Sequence, residues 1–331
     1  MNQTFRTDLA MEATEIFKAS TNTDEQNYPP GVEVTEQTHK ELKITHVKIT
    51  SKEGEDKIGK PIGNYITLEA ENLAKDYFED YHVTCNILAK ELSNLMNIQG
   101  EQTVLIVGLG NWNITSDSLG PKVVSETVVT RHILEYGNLS DEQKNDNLRS
   151  VSAISPGVLG ITGIETFEIV KGVVDSINPS LIIVIDALAS RKANRISTTI
   201  QIADTGISPG SGVRNKRMGL TKESLGVPVI AIGMPTVIDA ATLSSDAIEM
   251  LLEDIKNENA QVPEELELLQ KLNKYNDLNL EGLVNRLIEP YYQNLIVTPK
   301  EIDEIIQRVS NIIATGINIS LGVKEQFNTT N

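Results

Sequence analysis

The stretch TVLIVGLGNWNITSDSLGPKVVSETVVTRHIL, residues 103–134, sets the reading of the whole chain. Its first eight residues, TVLIVGLG (103–110), are a continuous apolar run closed by glycines, the pattern of a strand buried on both faces. LGPKVVSETVVTRHIL (119–134) then reads as a helix, with Pro121 in the first turn, where a missing N–H costs nothing. Downstream the alternation repeats. VSAIS (151–155) is a short strand and GIETFEIVKGVVDSI (163–177) a helix. LIIVIDALA (181–189) is a second continuous apolar run, followed by strands TTIQIAD (198–204) and VPVIAIG (227–233). DAATLSSDAIEMLLEDI (239–255) returns to helix. Alternation of this kind predicts an α/β fold: a mostly parallel, twisted sheet covered by helices on both faces.

Upstream, NTDEQNYPPG (22–31) is turn- or linker-like, with two prolines and a glycine. ELKITHVKIT, from Glu41, alternates as a half-buried strand, and NYITLEA (64–70) is strand-like. Residues 71–97 carry apolar side chains at helical spacing, Leu73 and Tyr77 through Leu92 and Leu95. This region predicts a small N-terminal lobe or a strand pair docked on the body. The last third is helical in pattern: 264–275, 280–288 and 298–317, with Thr298 and Glu301 placed as a capping box. The expected division is 9–98 for the N-terminal segment and small lobe, and 99–331 for an α/β domain with C-terminal helices.

Composition narrows the function. The 331 residues carry 29 basic and 46 acidic side chains, a net charge of −17. Such a surface repels phosphate backbones and anionic lipid, so neither nucleic acid nor membrane is an expected partner. Aromatics are only 4 % of the chain, too few for base-stacking platforms. The single cysteine, Cys85, cannot form an internal disulfide and points to a reducing, cytoplasmic compartment. It reads as a small core residue in an apparent helix. Neither a long apolar run nor a hydrophobic signal region is present.

Open α/β sheets place ligands beyond the carboxyl ends of their strands. Two acids fall there: Asp186, ending LIIVID, and Asp117, in the loop GNWNITSDSLGP. Two neighbouring, partly desolvated carboxylates separate each other's proton affinities, so that one can hold a proton while the other takes one from water. Amide hydrolysis without metal or covalent nucleophile needs that pair. The competing reading is structural: Asp117 capping the helix near Leu119, and Asp186 capping the turn after its strand. Asp239, after VPVIAIG, and Asp204, in IADTGISPGSG, are further candidates for supporting or substrate-binding roles, with helix capping the alternative for Asp239. Gly110 and Asn111 join them, and the backbones of Gly108–Gly110 and Gly206–Gly212 are candidate donors to a substrate. GLGNWN lacks the third glycine of a dinucleotide fingerprint and no Walker lysine follows. Four scattered histidines argue against a metal site, and GSG at 210–212 is not a nucleophile-elbow motif; no cofactor is expected. Trp112 reads equally as a cleft wall or a lid on the core.

Seven blocks then carry a resemblance: RTDLAMEA (6–13), VGLGNWNITSDSLGP (107–121), SPGVLGITGIET (155–166), IVIDALASR (183–191), TTIQIADTGISPGSGV (198–213), GVPVIAIGMPTVIDA (226–240) and NLIVTPKEID (294–303). From about residue 6 to 320 the chain resembles the germination protease of endospore-forming bacteria. The resemblance implies an atypical aspartic endopeptidase, related in fold to hydrogenase maturation proteases, that begins degradation of small acid-soluble spore proteins in the spore core. It implies that Asp117 and Asp186 are the essential pair, that the enzyme is a homotetramer, and that it is made as a zymogen. Ser116 and Ser118 stand where the family pattern is closer to T-P-D-A-L-G-P, and Arg214 departs from S-G-V-G-N. Family substrates are cut after an acidic residue and before a hydrophobic one followed by alanine. Thr7-Asp8-Leu9-Ala10-Met11-Glu12 fits that grammar, so cleavage between Asp8 and Leu9 is expected to release residues 1–8. The plainer alternative is that Thr7 and Asp8 cap a helix starting at Leu9. Two rival functions are a metal-dependent maturation peptidase using the same acids, and a non-catalytic binder of spore proteins.

Overall fold

The computed structural model describes residues 7–21, 28–73, 80–96, 98, 102–137, 148–208, 218–257 and 295–323. Among these, nine strands form one sheet: β1 (Val32–His39), β2 (Leu42–Ile49), β3 (Gly63–Glu69), β4 (Val104–Gly108), β5 (Val151–Ile154), β6 (Leu181–Ser190), β7 (Thr199–Ala203), β8 (Val229–Asp239) and β9 (Ile296–Val297). Their order is β1-β2-β3-β7-β8-β6-β4-β5, with β9 paired to β8. The half holding the long apolar runs, β8-β6-β4-β5, is parallel, as buried strands joined by crossover helices require. The other half is antiparallel, and β3 joins β7 directly. The strands expected as a docked pair are therefore part of the same sheet.

Alternate residues of each central strand feed separate cores. Val104, Ile106, Ile183, Ile185, Ile230 and Ile232 face one side, beneath α3 (Tyr81–Leu95), α4 (Leu119–Glu126) and a long C-terminal helix (Ile302–Leu321). Leu105, Val107, Ile182, Val184 and Val229 face the other, packed against Val170 and Val174 of the helix Thr166–Ile177. On that second side the antiparallel half is covered by α1 (Ala10–Thr21) and α2 (Lys52–Ile58) through Ala10, Ala13, Val47, Ile49, Ile58 and Tyr65. Helices thus clothe both faces, as the alternation required.

Several boundaries differ from the sequence expectation. The helix of 119–134 stops at Glu126, because the β-branched run Thr127–Thr130 takes tertiary partners. Val128 N–H donates to Asn318 Oδ1, and Thr130 N–H to the Val151 carbonyl. A separate turn of helix, Arg131–Tyr136, follows. The helix expected over 71–97 begins only at Tyr81; residues 71–73 are a turn, and Asp80 pairs with Lys40 rather than capping. β8 runs six residues past Gly233, carried by pairing to β6 and β9. β1 escapes pattern reading because VEVTEQTH is polar: it is an edge strand, where exposed charges are the norm. Thr298 does not cap; its hydroxyl donates to the Thr236 carbonyl and the helix starts after Glu301. The helical patterns at 264–275 and 280–288 lie outside the described residues, as do 22–27 of the expected linker. Cys85 is buried against the C-terminal helix. Among the described residues no helix is long and apolar enough to cross a membrane.

Candidate active site

The parallel half reverses direction at β4: the chain passes from β4 to β5 on one side, then crosses to β6 on the other. Ligands of open α/β sheets bind where connections part in this way, beyond the strand ends. Both principal acids are there. Gly108, the last residue of β4, lies opposite Ile185. Asp186 is therefore one step beyond the end of its neighbour. It does not end its own strand, as the sequence suggested, because β6 continues to Ser190 against β8 through a bulge at Leu188/Ala189. Its side chain is 8 % exposed, and Oδ1 accepts from the Ala187 N–H at 3.0 Å.

Asp117 arrives from the loop leaving β4. Leu109 N–H still donates to the Ile185 carbonyl, then Gly110 turns the chain at φ 114°. A Cβ at Gly110 would lie 2.0 Å from the Asp117 carbonyl oxygen, so only glycine permits the closure. Asn111 N–H donates both to that oxygen, at 3.0 Å, and to Asp117 Oδ2, at 2.9 Å. Asp117 closes a 3₁₀ turn, Thr115–Asp117, and Ser118 takes the N-terminal position of α4, so Asp117 is not the cap. The loop is tied to β8 by Thr236 Oγ1 donating to the Ser116 carbonyl at 2.7 Å. Close packing explains the other glycine of GLG and its neighbour Gly120: a Cβ on Gly108 would meet the Gly120 carbonyl at 2.2 Å, and one on Gly120 the Leu109 carbonyl at 2.3 Å. They let α4 lie on β4.

Asp117 and Asp186 line one cleft of about 620 Å³. Its floor is the face of the sheet between the two helical covers, where Ala203, Ala231 and Gly233 are too small to fill the space. Leu188 folds over Gly233. Gln201 on β7 pairs with Gly233, which pairs with Asp186, so the side chains of Gln201 and Asp186 share a face two strands apart. Ile114 lines the wall; Trp112 is 56 % exposed and is neither wall nor core lid.

Part of the cleft wall comes from the segment that precedes α1. Thr7 and Asp8 line it. Asp8 N–H donates to the Ala189 carbonyl at 3.2 Å, and Asp8 Oδ2 accepts from the Ala189 N–H at 2.9 Å. The Asp8 carbonyl oxygen accepts from Lys60 Nζ at 3.0 Å and Gln201 Nε2 at 3.1 Å. Lys60 Nζ also donates to the Thr7 carbonyl, and Ala10 N–H to Gln201 Oε1. Desolvation lowers the Lys60 pKa, against the pull of Asp8 and Glu12. Leu9 and Ala10 are wholly buried. The helix starts at Ala10, one residue later than the capping alternative supposed, with the Thr7 hydroxyl accepting from Leu9 N–H and bonding Glu12. Glu12, 1 % exposed, receives the main-chain N–H groups of Arg191 and Lys192 at 2.7 and 2.9 Å. Glu15 meets Lys192 and Arg195. Of these contacts only the RTDLAMEA block was visible in sequence; nothing marked Lys60, Gln201 or the 189–192 backbone.

The other candidates have structural occupations. Asp204 binds the Asn64 main-chain and side-chain N–H groups, joining β7 to β3. Asp239 Oδ1 accepts from Ala241 and Thr242 N–H, an N-cap for the helix Ala240–Asn257. Gly206 lines the cleft beside Thr205, Ile207 and Ser208, at φ 75°. Gly210, Gly212 and Arg214 lie outside the described residues. Among the described residues no group of three or more His, Cys, Asp or Glu is gathered for a metal ion.

Comparison with known proteins bears on this arrangement. A family profile described as germination protease matches residues 10–272 and 262–331. The germination protease of Caldanaerobacter subterraneus subsp. tengcongensis is 50 % identical over 316 residues, covering 96 % of this chain and 94 % of its own. That of Clostridium perfringens is 47 % identical over 318 residues, with the same coverages. Among solved structures, a [NiFe] hydrogenase maturation protease, HycI from Thermococcus kodakarensis KOD1, matches over 44 % of this chain and 80 % of its own, at 20 % identity and TM-score 0.28, a score too low to bear on fold or chemistry. From the profile and these near-full-length relatives, the chain belongs to the germination protease family.

Proposed function

We propose that this protein is the zymogen of an aspartic-type endopeptidase that opens the degradation of small acid-soluble spore proteins in the spore core, and that its first substrate is its own Asp8–Leu9 bond. Water held between Asp117 and Asp186 is the nucleophile. The ionised acid takes a proton from the water as its oxygen attacks the Asp8 carbonyl carbon. The protonated partner then gives its proton to the Leu9 nitrogen as the C–N bond breaks. Residues 1–8 leave, and the mature chain begins at Leu9. Protein substrates are then cut after Glu or Asp, before a hydrophobic residue followed by alanine, by an enzyme assembled as a homotetramer.

One observation carries this reading: Asp8 is seated against Ala189 in the same cleft that Asp117 and Asp186 line. An acidic side chain preceding a buried Leu-Ala pair thus lies in the cleft that the two acids line, which supports this reading. The test is self-cleavage of the full chain, followed by mass spectrometry. Asp117→Asn and Asp186→Asn each are expected to stop the loss of residues 1–8 with the melting midpoint held within a few degrees. Cutting of a peptide containing Thr-Glu-Ile-Ala-Ser-Glu after its first Glu is expected to survive strong chelators. Chelator-sensitive cutting would favour the metal-dependent maturation peptidase, and binding without product the non-catalytic reading.

A further inference from the structure

Resting on that reading, we infer that Lys60 and Gln201 are catalytic residues: a two-donor cradle that takes up the negative charge on the carbonyl oxygen of the scissile peptide. Lys60 is an oddly used cation. The residue is half-buried, with its ammonium end turned into the cleft and desolvated there, and an ammonium out of water is costly unless compensated. Among the described residues its hydrogen bonds go to two peptide carbonyl oxygens, those of Thr7 and Asp8, and to no carboxylate. The Asp8 and Glu12 carboxylates offset part of that cost through space, but the atoms the ammonium touches are neutral carbonyls, a weak return for a full charge. An alkoxide-like oxygen at the same point is a strong one. The second donor comes from a different part of the fold: Lys60 follows the C-cap Gly59 of α2, whereas Gln201 is central in β7. The two converge on one oxygen, at 3.0 and 3.1 Å. That oxygen belongs to the residue preceding the proposed cut.

Preorganised donors at 2.7–3.1 Å from a developing oxyanion are what such stabilisation requires. When water adds to the Asp8 carbonyl carbon, the carbon–oxygen π pair moves onto this oxygen. Lys60 and Gln201 hold it there. On collapse the pair returns, the C–N bond breaks and the proton held by the acid pair goes to Leu9 nitrogen, so charge and protons balance. Gln201 also holds the far side of the bond, where its Oε1 accepts from Ala10 N–H at 2.7 Å. One amide side chain therefore spans Asp8 to Ala10, from the face of the sheet that it shares with Asp186.

Full-length Lys60→Met, Lys60→Gln and Gln201→Met proteins test the assignment by two readouts: the first-order rate of loss of residues 1–8, and hydrogen-exchange protection of residues 13–17, which lie inside α1 and clear of the Ala10 N–H that Gln201 itself binds. Loss of one such donor is expected to slow cleavage by about 10²–10³-fold. Protection should remain at the wild-type level, and Lys60→Gln, which keeps a neutral donor, should fall between wild type and Lys60→Met. Wild-type cleavage rates in Lys60→Met and Gln201→Met would overturn the inference. So would slow cleavage accompanied by lost protection in all three, which would make the pair simple anchors for the N-terminus. Asp117→Asn and Asp186→Asn run alongside; unimpaired cleavage in those would instead sink the underlying reading of the acid pair.

Discussion

Replacing Gly110 by alanine tests the placement of Asp117 without touching any acid. The new Cβ would sit 2.0 Å from the Asp117 carbonyl oxygen, where real Cβ atoms keep at least 3.0 Å. The loop must therefore give by about 1 Å. The oxygen displaced is the one that accepts the Asn111 N–H, and the same N–H also holds Asp117 Oδ2, so the carboxylate moves with it. Misplacing a reacting group by ~1 Å costs about 10²-fold in rate. Stability changes less. Alanine at φ 114° costs roughly 1–3 kcal/mol and the weakened hydrogen bond about 1 kcal/mol. Together, at about 2–4 kcal/mol, they lower the melting midpoint of a 331-residue chain by roughly 3–6 °C. Gly226→Ala is the control: its φ is 78° but nothing lies within 4 Å of the added carbon. It should lose stability and keep its rate. The assay is the first-order loss of residues 1–8 by intact-mass spectrometry, at roughly 15 °C or more below each midpoint so that the folded state dominates, with midpoints from a thermal scan. A Gly110→Ala protein that cleaves itself as fast as Gly226→Ala would refute the reasoning, since the position of Asp117 would then not matter.

Asp239→Ala separates capping from catalysis: loss of the two bonds to Ala241 and Thr242 N–H should cost about 1 kcal/mol and leave self-cleavage unchanged, so a tenfold slower rate would return Asp239 to the site. Burial pushes the Cys85 thiol up to about 11 from an ordinary 9.0. At pH 8 the native protein should resist thiol reagents that label it at once in denaturant. Because the folded pKa is the higher one, the folded state binds the extra proton between pH 9 and 11. Stability present below that window should decline across it, and Cys85→Ala should flatten the decline in denaturant titrations.

What could be read from sequence was whatever depends on near neighbours in the chain. VLIVG and LIIVID are apolar at nearly every position because both faces are covered, and that alone announces central strands of an α/β sheet. Asp117 and Asp186 stood out as candidates because strand ends bear ligands in such sheets, and Thr7–Glu12 because it fits the substrate grammar that the family resemblance implies. Distant partners decided the rest. Helix stops at Glu126, not Leu134, because Asn318 and Val151 capture backbone groups that local propensity assigns to a helix. β8 runs on to Asp239 because β6 and β9 offer it partners. Lys60 and Gln201 meet the Asp8 carbonyl from 52 and 193 residues away, and no spacing in the chain can encode a contact assembled from a helix cap, a strand and the N-terminal segment. Short-range pattern determines which segments bury their side chains. Which buried groups face one another is set by the order of strands in the sheet, and only the folded chain supplies it.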